Sequence, residues 1–114
     1  LASCSSKGNV YILNKKNYNI DINIIDENQK KATSLIQTKK GNIIVCFSKI
    51  IKVYSISKNS YKLIQTLNEH EDEINHIKEL TSGELVSSSH DGELNFYCFK
   101  NDKYELDFSY KSKR

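Results

Sequence analysis

Short apolar runs recur along the chain at a regular interval. They occupy residues 1–5, Ile43–Phe47 and Leu85–Ser89, and their first residues lie 42 positions apart. Each run is followed by a tight turn and by a second run, at Asn9–Leu13, 51–54 and 93–97. A fixed interval of this length is typical of a protein built from repeated structural units.

Between these pairs lie stretches in which apolar and polar residues alternate. They cover residues 18–25, 61–67 and 104–110, and the last places Leu106, Phe108 and Tyr110 on one predicted face. Two more runs, at Ala32–Gln37 and 74–80, complete the set. Runs rich in Ile, Val, Tyr and Phe, separated by turns of Gly, Asn, Asp and Ser, predict antiparallel β-strands.

One segment also fits a helix. In residues 69–80 the apolar side chains Ile74, Ile77 and Leu80 are spaced three apart, which is a helical interval. The equivalent segment of the preceding repeat, Ala32–Gln37, has no helical stripe. The repeat therefore favours a strand here, with the helix as the alternative.

The resulting fold class is all-β. Four strands, a to d, in a unit of about 42 residues match the interval of a β-propeller blade, a four-stranded antiparallel sheet. We predict a partial β-propeller of about 2.75 blades, with strands b to d in residues 1–30 and whole blades in 31–68 and 69–114. Fewer than three blades cannot close a ring, so neighbouring blades are expected as partners.

The third unit carries a recognisable motif. It contains Glu69-His70, an apolar strand, the run Leu85–Ser89, the turn His90-Asp91-Gly92 and a strand that reaches Tyr97. This order resembles the WD40 repeat, in which a Gly-His pair, a strand serine, a turn aspartate and a Trp-Asp pair recur. Tyr97 stands at the tryptophan position and Cys98 at the final aspartate position, and the two earlier units keep little of the motif.

The resemblance implies a structural role for four residues. In WD40 proteins the equivalent side chains form a hydrogen-bonded chain inside the blade. Asp91 would accept a hydrogen bond from His70, His70 would meet Ser87, and Ser87 would reach Tyr97. A hydrolytic triad would instead need an open pocket and an oxyanion site, and the sequence has no G-x-S-x-G turn.

The predicted loops differ in charge. If the blade register holds, one face of the propeller carries the acidic residues Glu69, Glu71, Asp72 and Glu73. The opposite face carries Lys15, Lys16, Lys39 and Lys40. We interpret these loops as ordinary solvated turns or, alternatively, as surfaces that bind protein or peptide partners of opposite charge.

Composition narrows the function classes. A net charge of +3 does not indicate nucleic-acid binding. Acidic residues interspersed among the lysines argue against a surface that binds nucleic acid. The three cysteines have no metal-ligand spacing, which favours free thiols in an intracellular compartment. We expect a non-enzymatic interaction scaffold without a cofactor, and as alternatives a nucleic-acid-binding propeller or an accessory domain of a larger enzyme.

Overall fold

The chain forms strands throughout the part that its structure describes. The computed structural model describes residues 2–4, 9–13, 20–25, 32–57, 60–101 and 103–111, and the first three strands mainly by their backbone. None of these residues is helical. The strands are β1 Ala2–Cys4, β2 Asn9–Leu13, β3 Ile20–Ile25, β4 Ala32–Gln37, β5 Ile43–Phe47, β6 Ile50–Ser57, β7 Ser60–Leu67, β8 Ile74–Glu79, β9 Leu85–Ser89, β10 Glu93–Lys100 and β11 Lys103–Lys111.

These strands make three antiparallel sheets in which sequence neighbours are also spatial neighbours. The first sheet has the order β1-β2-β3, the second β4-β5-β6-β7 and the third β8-β9-β10-β11. The all-β prediction and the predicted four-stranded units are confirmed. Short connections explain the order, because the two to six residues between consecutive strands of a sheet suffice to join neighbouring antiparallel strands.

The repeat is visible in the backbone as β-bulges at equivalent places. Between strands c and d of each sheet one residue lacks a partner, and these residues, Asp21, Ile64 and Asp107, are 43 positions apart. Between strands a and b the unpaired residues are Thr33 and Asn75, 42 positions apart. A bulge inserts one residue and changes the face on which the following side chains lie.

The bulge at Asn75 explains the helical interval in residues 69–80. Ile74 pairs with Ser89 and Ile77 with Ser87, so both isoleucines project from one face of the sheet although they are three residues apart. Both are buried. The strand prediction is confirmed by β8, and the helical alternative is wrong.

The bulge at Asp107 likewise corrects the predicted face of β11. Leu106 pairs with Tyr97, whereas Phe108 pairs with Phe96 on the other side of the irregularity. Cross-strand partners share a face, so Leu106 and Phe108 lie on opposite faces of the third sheet. The Phe96 and Phe108 rings stack with centroids 4.4 Å apart.

The main core fills the space between the second and third sheets. Facing side chains of the two sheets, including Ile44 and Val53 on one side and Ile77, Leu85 and Tyr97 on the other, are almost fully buried. Each buried side chain of this size contributes about 2 kcal/mol relative to an exposed one. The two sheets therefore stabilise each other as a packed pair.

The opposite face of the second sheet is buried as well. Ile43, Val45, Phe47 and Tyr54 form a second cluster there and are at most 3% exposed. On this side β1 lies against β4 and β3 lies near β7. The second sheet is thus covered on both faces by its neighbours.

Polar contacts also join the second sheet to the third. The side-chain amide of Gln65 donates to the Tyr104 carbonyl at 2.5 Å and accepts from the Tyr104 N–H at 2.8 Å. Near the inner strands, the Ile74 N–H donates to the Ser48 carbonyl at 2.8 Å. These contacts satisfy backbone groups at the sheet-to-sheet boundary and fix the relative position of the two sheets.

Candidate functional site: a buried polar network beneath an acidic loop

The structure brings His70 and Ser87 together inside the third sheet. His70 lies in the loop that precedes β8, and Ser87 is in the middle of β9. His70 Nε2 lies 2.6 Å from Ser87 Oγ, in hydrogen-bonding geometry. His70 is 4% exposed and Ser87 is fully buried, so this contact belongs to the interior.

The network continues from Ser87 across the sheet. Tyr97 lies on the same face of the sheet as Ser87 and Asn95. Asn95 Nδ2 donates to the Tyr97 hydroxyl at 3.3 Å, and Ser109 Oγ donates to Asn95 Oδ1 at 2.7 Å. Ser87, Asn95 and Ser109 lie opposite one another on adjacent strands, so one row of polar side chains crosses β9, β10 and β11.

At the other end, the carboxylate beside His70 is that of Glu93. Glu93 Oε1 lies 3.2 Å from His70 Nδ1, and neither atom has a hydrogen-bond partner. The approach is close enough for a charge contact but is out of line for a hydrogen bond. The prediction that Asp91 accepts from His70 is therefore corrected.

Asp91 has different partners in the turn between β9 and β10. Asp91 Oδ1 accepts two hydrogen bonds, one from the Ser89 hydroxyl and one from the backbone N–H of Glu93. Its second oxygen lies 3.6 Å from Lys111 Nζ. The short side chain of Asp91 folds back on its own turn. The longer side chain of Glu93 lies on the same face of β10 as those of Asn95 and Tyr97, and it reaches His70.

The contacts of His70 indicate how its ring is protonated. With the proton of a neutral His70 on Nδ1, on the side of the Glu93 carboxylate, Nε2 accepts from the Ser87 hydroxyl. Farther along the row, Tyr97 accepts from Asn95, and Asn95 accepts from Ser109. The side-chain hydrogen bonds of Ser87, Tyr97 and Asn95 are therefore made inside the sheet.

Burial dominates the titration of this row. Desolvation lowers the pKa of His70 below its usual 6.5, although the charges of Glu93 and Asp91 oppose that change. Burial also raises the pKa of Tyr97, against the opposing hydrogen bond from Asn95. Both side chains therefore remain neutral at neutral pH, in keeping with the assignment above.

The loop above the network is fixed at both ends. His70 inserts into the sheet, the Glu73 carbonyl accepts from the His90 N–H at 2.9 Å, and Asp72 Oδ1 accepts from the Glu73 N–H at 2.7 Å. Glu69 and Glu71 flank His70 in the sequence and are exposed. The chain thus presents two carboxylates to solvent from a loop with a defined conformation.

The lysines predicted as partner-binding residues on the opposite face are engaged within the chain. The backbone N–H of Lys39 donates to Glu79 Oε1 at 3.0 Å, and its side-chain Nζ donates to the Thr81 carbonyl at 3.3 Å. Lys40 Nζ lies 4.3 Å from the centre of the Phe99 ring. Both lysines therefore fasten the second sheet to the third, and Lys15 and Lys16 lie outside the described residues.

Sequence reasoning missed Glu93, Asn95, Ser109 and Gln65. For two of them a signal was available, because Glu93 and Asn95 alternate with Tyr97 along one strand and so share its face. Ser109 joins them only through the pairing register after the bulge at Asp107. Gln65 belongs to a contact between sheets, which no local pattern indicates.

Comparison with known proteins identifies the architecture. The chain superposes on the β-propeller domain of Cps50 (Swd1) from Myceliophteria thermophila with a TM-score of 0.77 and 11% sequence identity, covering 97% of this chain and 40% of that one. This chain is a β-propeller segment. A protein of unknown function from Bacteroides caccae is also similar, with a TM-score of 0.71, 20% identity and coverage of 96% and 39%.

The β-propeller segment spans about two fifths of the length of these two structures. No protein-family profile matches it, and no curated protein matches its sequence. The likeness is therefore one of fold. Within the part of the chain that the structure describes, no helix is long and apolar enough to cross a membrane.

The chemistry open to the His70–Ser87 pair is limited by access. A nucleophilic serine must reach a substrate carbonyl, but Ser87 and Tyr97 are fully buried and His70 nearly so. Among the described residues, no three His, Cys, Asp or Glu side chains are grouped to hold a metal ion. The hydrogen bond between His70 and Ser87 joins the loop before β8 to the middle of β9.

Proposed function

We propose that this segment is part of a non-enzymatic scaffold of the WD40 type, in which the loop from Asn68 to Glu73 binds a basic segment of a partner protein. The observation that carries the proposal is the rigid presentation of Glu69 and Glu71. Both carboxylates are exposed on a loop that His70 anchors to the buried network. A preformed loop binds with a smaller loss of conformational entropy than a mobile one.

The WD40 assignment draws on two supports. The order of His70, Ser87, the turn aspartate and Tyr97 resembles the family motif, and the fold is similar to a β-propeller domain. The structure adds a hydrogen bond between His70 and Ser87 inside the third sheet. In the proposed scaffold Glu93 stands in for the turn aspartate as the carboxylate beside the histidine.

The polar residues that a hydrolase would need are used for structure in this proposal. Because Ser87 is enclosed by the sheet, we propose that the segment catalyses no reaction. The free thiols of Cys46 and Cys98 suit a reducing, intracellular compartment. Lys39 and Lys40 contact the third sheet, which makes nucleic acid a weaker candidate than a basic peptide.

A charge-reversal experiment tests the proposed surface. The double variant Glu69→Lys/Glu71→Lys is compared with the control Glu105→Lys/Asp107→Lys, which makes the same charge change at exposed positions of β11. Partner proteins are captured with the wild-type natural protein and with each variant. A captured partner is then purified, and its affinity for each version is measured at low and at high salt. We expect the loop variant alone to lose a salt-sensitive partner.

The result distinguishes the candidate functions. Equal loss in both variants would show that net charge, and not the loop, matters, and no loss in either would overturn the proposal. Binding of a DNA or RNA oligonucleotide that the loop variant strengthens would favour the nucleic-acid alternative.

A further inference from the structure

Two equivalent turns lie side by side at one end of the second and third sheets. The turn at residues 38–42 joins β4 to β5, and the turn at residues 80–84 joins β8 to β9. In each turn the N–H of the first residue donates to the carbonyl of the fifth, and the fourth residue, Gly41 or Gly83, has a positive φ. The side chains of the two turns therefore occupy comparable places in the two sheets.

The second position of these turns differs in chemistry. Lys39 occupies it in the first turn and Thr81 in the second, and both residues are exposed. Lys39 Nζ donates to the Thr81 carbonyl at 3.3 Å, so its ammonium group lies beside the threonine. Among the described residues, this ammonium group forms no ion pair with a carboxylate. It is therefore placed to bind an anionic group carried by Thr81.

The two hydroxyl groups of the second turn differ in what surrounds them. Ser82 Oγ donates to Glu84 Oε1 at 3.2 Å, so a phosphate on Ser82 would lie against a carboxylate and be repelled by it. Within the part of the chain that the structure describes, nothing hydrogen-bonds to the Thr81 hydroxyl, whose carbonyl contacts Lys39. Thr81 is the residue of this turn at which an added phosphate gains a favourable contact.

We propose that Thr81 is a phosphorylation site and that the ammonium group of Lys39 binds its phosphate. In the reaction the Thr81 hydroxyl oxygen attacks the γ-phosphorus of ATP, the bond from that phosphorus to ADP breaks, and a base of the kinase takes the hydroxyl proton. The phosphate brings a charge of about −1.5 to −2 at neutral pH and three acceptor oxygens. Lys39 Nζ then donates to it across the boundary between the second and third sheets.

The residue three positions after Thr81 indicates the class of kinase. Glu84 stands there and is partly exposed. A carboxylate at this position suits an acidophilic Ser/Thr kinase, which selects its substrates by complementary charge. Backbone hydrogen bonds hold the turn only between Leu80 and Gly83 or Glu84, so the turn can open to the kinase while β8 and β9 remain paired.

Phosphorylation at Thr81 has two consequences for this end of the sheets. Glu79 accepts from the backbone N–H of Lys39 and leaves Nζ to the phosphate, so the two contacts reinforce each other. The phosphate also adds negative charge beside Lys39 and Lys40, which would repel an acidic partner from these lysines. The proposal does not depend on the acidic loop.

Labelling by a kinase tests the site. The natural protein is incubated with ATP and a purified acidophilic Ser/Thr kinase, and the phosphorylated residue is located by peptide mass spectrometry. A synthetic peptide of residues 76–88 is the positive control. We expect phosphate on Thr81 in the wild-type protein and in Ser82→Ala, and none in this turn in Thr81→Ala.

The alternative labelling results would overturn the proposal. Phosphate on Ser82 alone would contradict the choice of residue, and a labelled peptide beside an unlabelled folded protein would show that the fold blocks the site. Glu84→Gln should slow labelling of Thr81 severalfold, whereas Glu105→Gln, an exposed position on β11, should leave the rate unchanged. Equal rates in these two variants, or an unlabelled peptide, would contradict the class of kinase.

Phosphorus NMR of the phosphorylated protein tests the contact with Lys39. A neighbouring ammonium group favours the dianion, so the second pKa of the phosphate should lie below its ordinary value of about 6. Lys39→Met should return this pKa towards the ordinary value, and Lys62→Met, at an exposed position on β7, should leave it low. The same pKa in the wild-type protein and in Lys39→Met would overturn the binding of the phosphate by Lys39.

Discussion

Glu93 Oε1 lies 3.2 Å from His70 Nδ1, and this contact joins the start of β10 to the loop that precedes β8. The carboxylate is mostly screened from solvent, with 15% of its side chain exposed, and the imidazole is fully enclosed. The negative charge of Glu93 favours the protonated form of His70, whereas burial opposes it. The balance between these effects is open to measurement.

Removing the charge of Glu93 should lower the pKa of His70 further. In Glu93→Gln the side chain keeps its shape but loses the largest charge that raises this pKa. Titration of the His70 ring by NMR should therefore show a lower pKa than in the wild-type protein. Asp91→Asn is the control and should lower it less, because Asp91 is the smaller charge contribution. An unchanged pKa in Glu93→Gln would rule out the contact.

The stability of the protein should decrease on mild acidification because of His70. In the unfolded chain the imidazole titrates near 6.5, and in the folded protein its pKa is lower. Below pH 6.5 the unfolded chain therefore binds a proton that the folded chain does not yet bind, and the free energy of unfolding falls until the folded pKa is reached. Urea unfolding at pH 7.5 and 5.5 measures this loss.

Two variants assign that pH dependence. His70→Gln removes the titrating group and should make the difference between the two pH values smaller. His76→Gln changes an exposed histidine on β8 and should keep the wild-type difference. A wild-type difference that survives in His70→Gln would assign the loss to other groups.

Replacing the side-chain nitrogen of Gln65 by oxygen should break one of its two hydrogen bonds to Tyr104 and destabilise the protein. Gln65→Glu keeps the shape of the side chain but places an oxygen opposite the Tyr104 carbonyl, where an N–H now donates at 2.5 Å. We expect the free energy of unfolding to fall by about 2 kcal/mol, the scale for leaving a partly buried polar group without its partner. The exposed Gln37→Glu is the matched control, and equal losses would show that the bridge contributes nothing.

Cys46 should resist alkylation in the folded protein. Burial raises its thiol pKa to about 12, so very little reactive thiolate is present at pH 8. Cys98 is only partly buried and should react faster with iodoacetamide. Peptide mass spectrometry at successive times measures both sites, and urea should remove the difference. Early modification of Cys46 in the native protein would show that the space between the sheets opens readily.

The sequence by itself determined the class of fold, because the alternation of apolar residues and the recurring interval are local properties of the chain. The same information placed the four-stranded units, and the resemblance of the third unit to the WD40 repeat implied that His70 and Ser87 meet. Alternation alone, however, assumes an unbroken two-residue period. The bulges at Asn75 and Asp107 break it, and they decide that Ile74 and Ile77 share a face while Leu106 and Phe108 do not.

The tertiary structure alone decided which polar groups meet. Glu93, and not Asp91, lies beside His70. The length of the side chain and the strand face on which it lies decide which carboxylate reaches the imidazole, and position in a motif does not. Lys39 and Lys40 contact the third sheet because the turns of adjacent sheets lie side by side. These contacts join residues that are far apart in the sequence, and their partners follow from how the sheets pack, which a local pattern does not encode.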